Sequence, residues 1–238
     1  MMTTFDPHLL RIEPIPPKGL RVVLHLEHGD PLEVTLEALE LSRLGVGDAL
    51  TSEARTALLD LDADVRVREA ALGLIAHRAR TRQELARKLR RKGFGKERIE
   101  TCLTRLEQKG LMDDAAVAAA LVRDRLRHRP RGEARLVSEL RAKGIESDMA
   151  SETISRVFAD EEVSDAALAR EAAVGWLGRQ GRSVRAALSD RGSPERDKAR
   201  RRLHGYLARR GFRGDALGEA MAHAERISAG SSDVDASA

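Results

Sequence analysis

The residue types that usually carry catalysis are present, but they form no recognisable catalytic or metal-binding pattern. The seven histidines are scattered, and the single cysteine, Cys102, alternates with apolar residues in a predicted helix. The acidic pairs Asp113–Asp114 and Glu161–Glu162 fall at predicted helix starts or junctions, where negative charge stabilises a helix N-terminus. The sequence contains no phosphate-binding glycine loop, dinucleotide-binding glycine motif or nucleophile elbow. We therefore expect no enzyme, no cofactor and no metal, and we expect Cys102 to be a buried structural thiol.

Basic residues, in contrast, are concentrated in the middle of the chain. Residues 1–65 hold 5 basic and 12 acidic side chains, residues 66–145 hold 22 and 10, and residues 146–238 hold 15 and 16. Acidic residues are missing from the helix faces that carry the arginines, so pairing four residues apart is not expected to neutralise them. Arginine predominates over lysine, which suits forked contacts to phosphate or carboxylate. The candidate binding residues are Arg87, Lys88, Arg91, Arg123, Arg127, Arg131, Arg135, Arg201 and Arg202.

These side chains fit a polyanion, which is either a nucleic acid or an acidic protein surface. Three-helix segments with a capped second helix are similar to helix-turn-helix DNA readers. Such readers, however, offer Asn, Gln or Ser among the arginines of one exposed helix, and single-strand binders offer stacking aromatics. Aromatic residues make up only 3% of this chain. Direct readout of a DNA sequence is therefore disfavoured, and a protein surface, or protein and DNA together, is favoured.

The elements that position the basic residues repeat three times. ELARKLRRKGF, RLVSELRAKGI and RRLHGYLARRGF each end a basic helix with a glycine and a large apolar residue. These glycines, Gly93, Gly144 and Gly211, are expected in the left-handed conformation that closes a helix. Because a longer helix precedes each segment and a third follows it, the sequence predicts a mostly α fold. Its tandem three-helix repeats are expected to stack into an elongated, curved body. The leucines of the buried stripe are Leu85 and Leu89, Leu136 and Leu140, and Leu203 and Leu207.

Local signals predict several helix ends. Thr51 or Ser52 caps a short helix, TSEARTALLD, and the first repeat then becomes helical from about residue 65. Thr81 and Glu84 have the spacing of a capping box. Ser147 is a predicted cap in the second repeat, and residues 179–198 are predicted to be a loop inserted in the third.

The acidic N-terminal segment differs from the repeats. Its prolines exclude regular helix over the first 20 residues, and two β-prone runs predict a hairpin that turns near Gly29 and Asp30. Because a lone hairpin is marginally stable, we expect it to dock on the helices that follow. The predicted organisation is a hairpin extension over residues 1–63, repeats over 64–110, 111–162 and 163–228, and a disordered tail over 229–238.

The composition of the chain and its first residues favour a location in the cytoplasm. A single cysteine cannot form an internal disulfide, and no apolar run approaches the roughly 20 residues that cross a bilayer. The start, MMTTFDPHLL, lacks the basic and apolar regions of a secretory signal. We expect a cytoplasmic monomer that does not bind membranes.

The central segment resembles the opening of the RecX proteins, which are bacterial modulators of the RecA recombinase. ALGLIAHRARTRQELARKLRRKGFGKERIETCLTRLEQKGLMDD contains Lys92-Gly93-Phe94, which matches the family's Lys/Arg-Gly-Phe signature. Gly110 to Asp114 resembles its Gly-Leu-Leu-Asp-Asp junction, and the other two basic helices resemble those of its second and third repeats. The resemblance covers roughly residues 66 to 226. The chain departs from it at Val117, where an aromatic is usual, at Pro130, where glycine is expected, and in the long third-repeat insertion.

The resemblance implies a non-enzymatic regulator that lies in the helical groove of the RecA filament on single-stranded DNA. Such a regulator restrains filament growth, ATP hydrolysis, strand exchange and self-cleavage of the SOS repressor. Single-stranded DNA would be bound within the filament, or weakly alone. The alternatives are an autonomous nucleic-acid-binding regulator that needs no RecA and a helical scaffold for another protein. A further hypothesis is that the acidic extension shields the basic middle until a filament displaces it.

Overall fold

The N-terminal segment folds as a small antiparallel sheet followed by a short helix. The computed structural model describes residues 6–16 and 20–235, and side chains at 6–16 and 20–229. Strands β1 (Leu9–Pro14), β2 (Arg21–Leu26) and β3 (Leu32–Thr35) lie in that order. Strands β2 and β3 form the predicted hairpin, with Gly29 at φ +92° in the turn. The sequence does not predict β1, so the expectation of a hairpin alone is corrected to a three-stranded sheet.

Helices make up most of the remainder, in the tandem three-helix arrangement that the sequence predicts. In the part of the chain that the structure describes, they are α1 (Leu36–Ser42), α2 (Ser52–His77), α3 (Arg82–Arg91), α4 (Lys96–Gln108), α5 (Asp114–His128), α6 (Glu133–Ala142), α7 (Ser147–Asp160), α8 (Asp165–Gly178), α9 (Arg182–Ser189), α10 (Arg196–Arg209) and α11 (Gly214–Asp235). The first repeat consists of α2, α3 and α4, and the second of α5, α6 and α7. The third contains α8, α10 and α11, with α9 inserted.

Helix α2 belongs to both the sheet and the first repeat. Leu58 and Val65 pack in the core under the sheet, whereas Val67 and Ala71 pack in the core of the first repeat. The prediction of a short helix followed by a separate one is therefore wrong, because a single helix of 26 residues spans both. The predicted boundary between residues 63 and 64 lies within it.

The sheet docks on α2 through apolar packing and one buried hydrogen bond, as expected. The backbone N–H of Thr35 donates to Oδ1 of Asp62 at 2.6 Å. Both residues are buried, with relative exposures of 2% and 4%. Since a buried N–H must find an acceptor, this bond fixes the end of β3 against the helix.

The three basic helices end in the same way, and the sequence-based prediction of these ends is confirmed. Gly93, Gly144 and Gly211 adopt φ of +91°, +88° and +91°. The next residue in each case donates its backbone N–H to the carbonyl five residues back, at 3.1 to 3.3 Å. This is the Schellman arrangement, which satisfies carbonyls left open at a helix end. The six paired leucines of these helices are all fully buried.

Most helix starts agree with the sequence, and three local predictions do not. Thr51 caps α2, and Thr81 forms the predicted capping box with Glu84. Ser147 is the first residue of α7 rather than its cap, which is Glu146 and makes no side-chain bond. Residues 182–189 form helix α9 within the predicted loop. Helix α11 continues to residue 235, into the segment predicted as a disordered tail, and residues 236–238 lie outside the described residues.

The chain folds as two units, residues 1–112 and 113–238. In the second unit, the cores of the second and third repeats share Leu126 and Phe158, which pack against both. The loop before α6 also touches the end of α10, because Gly132 donates its N–H to the carbonyl of Arg210 at 2.9 Å. A Cβ at Gly132 would lie 2.5 Å from the carbonyl carbon of Gly211. Only glycine fits this approach of two backbones.

Candidate polyanion-binding surface

Helix α3 carries a row of cations on its outer side. Because Leu85, Ala86 and Leu89 are turned into the core, Arg87, Arg90 and Arg91 are exposed and Lys88 is half-buried. Arg87, Arg90 and Arg91 line a shallow, open depression together with Gln83. We call Arg87, Lys88, Arg90 and Arg91 the α3 basic face; within the described residues, none of the four is paired with a carboxylate.

A neighbouring arginine of the same helix shows the contrast. Arg82, in the first turn of α3, forms ion pairs with Glu107 and with Glu100, at 2.8 Å to the latter. These carboxylates raise the pKa of Arg82 against the opposing effect of burial, which is the larger single influence. Arg82 is therefore part of the packing between α3 and α4, whereas the charges of the α3 basic face are not compensated by carboxylates of the described residues.

The predicted site residues of α5 are not equivalent. Arg123 donates from Nη2 to Asp160 at 2.9 Å and from Nε to Glu161 at 3.0 Å, both near the end of α7. Arg127, one turn further along, is exposed and has no carboxylate partner in the described part of the chain. Only Arg127 therefore presents an uncompensated charge.

Arg131 and Arg135 gather around a single carboxylate. Glu139, which is largely buried, pairs with both and also with Arg125, at 2.9 Å to Arg125 and 3.1 Å to Arg135. Burial lowers the pKa of Arg131, and the surrounding arginines lower it further. Glu139 lies four residues after Arg135, so the expectation that such pairing is missing is wrong for Arg135, but one carboxylate among three arginines leaves a net positive charge.

The third repeat presents a second basic surface. Arg201 and Arg202 are exposed on α10, whereas Arg200 turns to Glu225 on α11 at 2.7 Å. Arg201 and Arg202 line one depression with Lys198, Arg209 and two aromatic residues, Trp176 and Tyr206. We call Lys198, Arg201, Arg202 and Arg209 the α10 basic face. Of these, Lys198 forms an exposed ion pair with Glu195 at 3.4 Å.

Sequence reasoning missed the aromatic part of this surface. Tyr206 accepts a hydrogen bond from Nη2 of Arg179 at 2.9 Å, and the guanidinium of Arg210 lies 4.7 Å from its ring centroid. The Tyr206 and Trp176 ring centroids are 6.5 Å apart. The helical spacing of Lys198, Arg202 and Arg209 could have revealed the basic part, but the approach of α8 to α10 is a tertiary feature.

The residue types that carry covalent or metal chemistry lie apart from these basic surfaces. Cys102 is buried, as predicted, and burial raises the pKa of its thiol above the usual value despite Arg68 and Arg105 nearby. Among the residues that the structure describes, no cluster of three or more His, Cys, Asp or Glu side chains could hold a metal ion. None of the described helices is both long and apolar enough to cross a membrane.

Comparisons with known proteins agree with this architecture. The model of the first three-helix domain of RecX matches residues 68–106, and that of the second matches residues 113–154. A Regulatory protein RecX from Amycolatopsis mediterranei is 38% identical over 149 residues, which cover 62% of this chain and 76% of the relative. A second, from Halorhodospira halophila, is 36% identical over 159 residues, covering 67% and 88%.

Solved structures show the same fold. A crystal structure of regulatory protein RecX superposes with a TM-score of 0.69 at 22% identity, covering 89% of this chain and 97% of that one. RecX from Lactobacillus salivarius gives a TM-score of 0.52 at 19% identity, covering 70% and 99%. Together with the identity to curated relatives over most of their length, these matches establish that the chain belongs to the RecX family.

Proposed function

We propose that this protein is a non-enzymatic regulator that binds the RecA filament on single-stranded DNA, along its helical groove. Bound there, it inhibits the filament's ATPase, strand-exchange and SOS co-protease activities, and it acts as a cytoplasmic monomer. Membership of a family whose members are named regulatory proteins supports a regulatory role. The absence of a metal-ligating cluster among the described side chains is compatible with it.

The observation that carries the proposal is the unpaired charge of the α3 basic face. Arg87, Lys88 and Arg91 lie on a capped helix of the first family domain, and Arg87 and Arg91 line an open depression on it. Guanidinium groups on a rigid element suit the carboxylates of a protein surface or the phosphates of DNA. A filament of RecA on DNA offers both.

The α10 basic face supports the same proposal independently. Arg201 and Arg202 lie on the third repeat, so the chain carries two separate basic surfaces. Two surfaces on one chain raise affinity for a repeating polymer by multivalency, provided that both reach their sites. A filament is such a polymer.

The test is co-sedimentation with RecA filaments on single-stranded DNA, compared with bare single- and double-stranded DNA in one near-physiological buffer. We expect strong preference for the filament and a fall in its ATPase as the protein is added. Equal binding to bare DNA with unchanged ATPase would contradict the proposal and favour the autonomous nucleic-acid binder. In that case log affinity should fall with log salt by about 0.7 per phosphate contact on single strands.

The triple variant Arg87→Glu/Lys88→Glu/Arg91→Glu tests the α3 basic face. We expect filament affinity to fall by about tenfold or more, because three free cations become anions. The control is Arg55→Glu, which reverses an exposed charge in the same unit. Arg55 lies in the first turn of α2, whereas α3 follows the last turn of that helix. Circular dichroism establishes that each variant is folded. Filament affinity unchanged in the triple variant, or equally reduced in Arg55→Glu, would exclude this face.

A further inference from the structure

A groove in the first unit lies between α1, α2 and α4. Its floor is apolar and includes Leu61, Val65 and Leu106, together with the thiol of Cys102. Leu41 of α1 stands at its edge and is 56% exposed. The cavity has a volume of about 200 Å³. The wall formed by α1 precedes residue 68, where the match to the first RecX domain begins.

The rim of the groove is basic, and part of its charge is free. Arg68 is paired with Glu37, and Arg98 is paired with Asp60 and Asp64. The remaining two cations, Arg105 and Lys109, are exposed and have no carboxylate partner among the described residues. They lie four residues apart at the end of α4, so they project from the same side of the helix.

We propose that this groove docks an acidic segment of a partner protein, which inserts one apolar side chain between α1, α2 and α4. Carboxylates beside that anchor would pair with Arg105 and Lys109. A cavity of about 150 Å³ is enough to bind benzene, so this one admits a Phe, Leu or Met side chain. An aromatic or aliphatic anchor in a pocket, with charged pairs at its rim, is the usual form of a small protein interface.

The composition of the groove favours a protein segment over nucleic acid. No aromatic residue lines it, so a base would find nothing to stack on. Asp64 on its wall is already held by Arg98, so it is compatible with an uncharged apolar anchor. The groove shares no residue with the α3 or α10 basic face, so this proposal does not depend on filament binding.

The test uses the whole protein and a fluorescein-labelled peptide in which Glu and Asp flank a single central Phe. Fluorescence anisotropy should show binding of this peptide, and much weaker binding when the Phe is replaced by Ala or the acids by Lys. In Arg105→Glu/Lys109→Glu the affinity should fall by about tenfold. Leu41→Asp should weaken binding in the same way, because it places a charge at the mouth of the groove.

The matched control is Lys96→Glu, an exposed reversal on the same helix. Nine residues separate Lys96 from Arg105, which places the two about 180° apart around α4. Lys96→Glu should leave the affinity unchanged. If Arg105→Glu/Lys109→Glu proves unfolded by circular dichroism, the milder Arg105→Gln/Lys109→Gln takes its place.

Cys102 gives a second readout, because it is the chain's single cysteine and lines the floor of the groove. Bound peptide should slow its reaction with a thiol reagent, whereas the Ala-substituted peptide should not. No binding, equal binding to Arg105→Glu/Lys109→Glu, or an equal loss in Lys96→Glu would overturn the proposal. Concentration-dependent dimerisation that Leu41→Asp abolishes would also overturn it, because the occupant would then be a second copy of the chain.

Discussion

Arg123 and Arg127 lie one turn apart on α5, but they have different surroundings. Arg123 is held by Asp160 and Glu161 from α7, while Arg127 faces solvent without a carboxylate. Both residues are arginines on the same helix, so the sequence alone does not distinguish them. The difference arises from where α7 ends, which is a property of the folded repeat.

Charge reversal at these two positions should therefore have different effects. Arg123→Glu places a third carboxylate beside Asp160 and Glu161, and we expect it to lower the free energy of unfolding by about 1 kcal/mol. Arg127→Glu should change that free energy by less than about 0.5 kcal/mol and should weaken filament inhibition. Urea unfolding and the RecA ATPase measure the two effects. Equal destabilisation by both variants would contradict the assignment of Arg123 as a structural residue.

At the scale of elements, a buried polar contact helps to attach β3 to α2. Asp62 occupies a position on the helix where an apolar residue would leave the Thr35 N–H without an acceptor. Leaving a buried donor unsatisfied costs about 1–3 kcal/mol, more than the bond itself contributes.

Asp62→Ala should accordingly lower the stability of the first unit by about 1–3 kcal/mol. Hydrogen exchange of the β3 amides should accelerate more than exchange in α4, because the damage begins at the sheet. Asp60→Ala is the control: its carboxylate is exposed and pairs with Arg98 at 3.0 Å, so its loss should cost less than about 1 kcal/mol. Equal costs for the two variants would show that the buried bond is not what attaches the sheet.

Elements with local signals could be predicted from the sequence, and elements fixed by distant contacts could not. The three glycine-closed helices and the Thr81 capping box depend on residues within one or two turns. Strand β1 exists because it pairs with β2, and the alternation in LLRIEP covers only four residues, Leu10 to Glu13, before a proline. Helix α9 did leave a signal, since Val184, Ala187 and Leu188 have helical spacing, but its Gly- and Ser-rich flanks favoured a loop.

The candidate site likewise has features that the sequence predicts and features that only the packing of helices reveals. The outward position of Arg87, Lys88 and Arg91 follows from the leucine stripe of α3, which can be seen in the sequence. The pairing of Arg123 with Asp160 and Glu161 requires α5 to be packed on α7, and that of Arg125 with Glu139 requires α5 to be packed on α6. Sequence patterns thus identify which residues are charged and outward-facing, whereas packing decides which charges remain free.

At the scale of the molecule, contact between the second and third repeats depends on two glycines, Gly132 and Gly211. Gly211 can be compared with Gly93, which ends the equivalent helix of the first repeat with the same φ of +91°. A Cβ at Gly93 would have no neighbour within 4 Å, whereas one at Gly211 would lie 2.4 Å from Cβ of Arg135 on α6. The same closing residue therefore has an additional role in the third repeat.

Comparison of Gly93→Ala with Gly211→Ala separates two roles of the closing glycine. One is to end the helix in the left-handed conformation, and the other is to allow the close approach of α6. Gly93→Ala should cost only the left-handed conformation of a non-glycine residue, about 1–2 kcal/mol. Gly211→Ala should cost clearly more, about 3 kcal/mol or above, because α6 and α10 must move apart. Thermal and urea unfolding of each variant against the parent protein measure this. Equal destabilisation would mean that the two repeats do not rely on the close approach of Gly132 and Gly211.

The continuous helix α2 has a consequence for how this family member can vary in length. Val65 packs toward the sheet and Val67 toward the first repeat, so α2 buries two roughly opposite faces in two different cores. One residue added between those faces would turn the sheet by about 100° relative to the repeat, and α1 would no longer line its groove with α4. Insertions of about seven or eleven residues would nearly restore the angular phase. An insertion within α2 between these faces therefore keeps the orientation of the sheet on the repeat only in steps of nearly whole helical turns, even though this part of α2 lies outside the matched family domains.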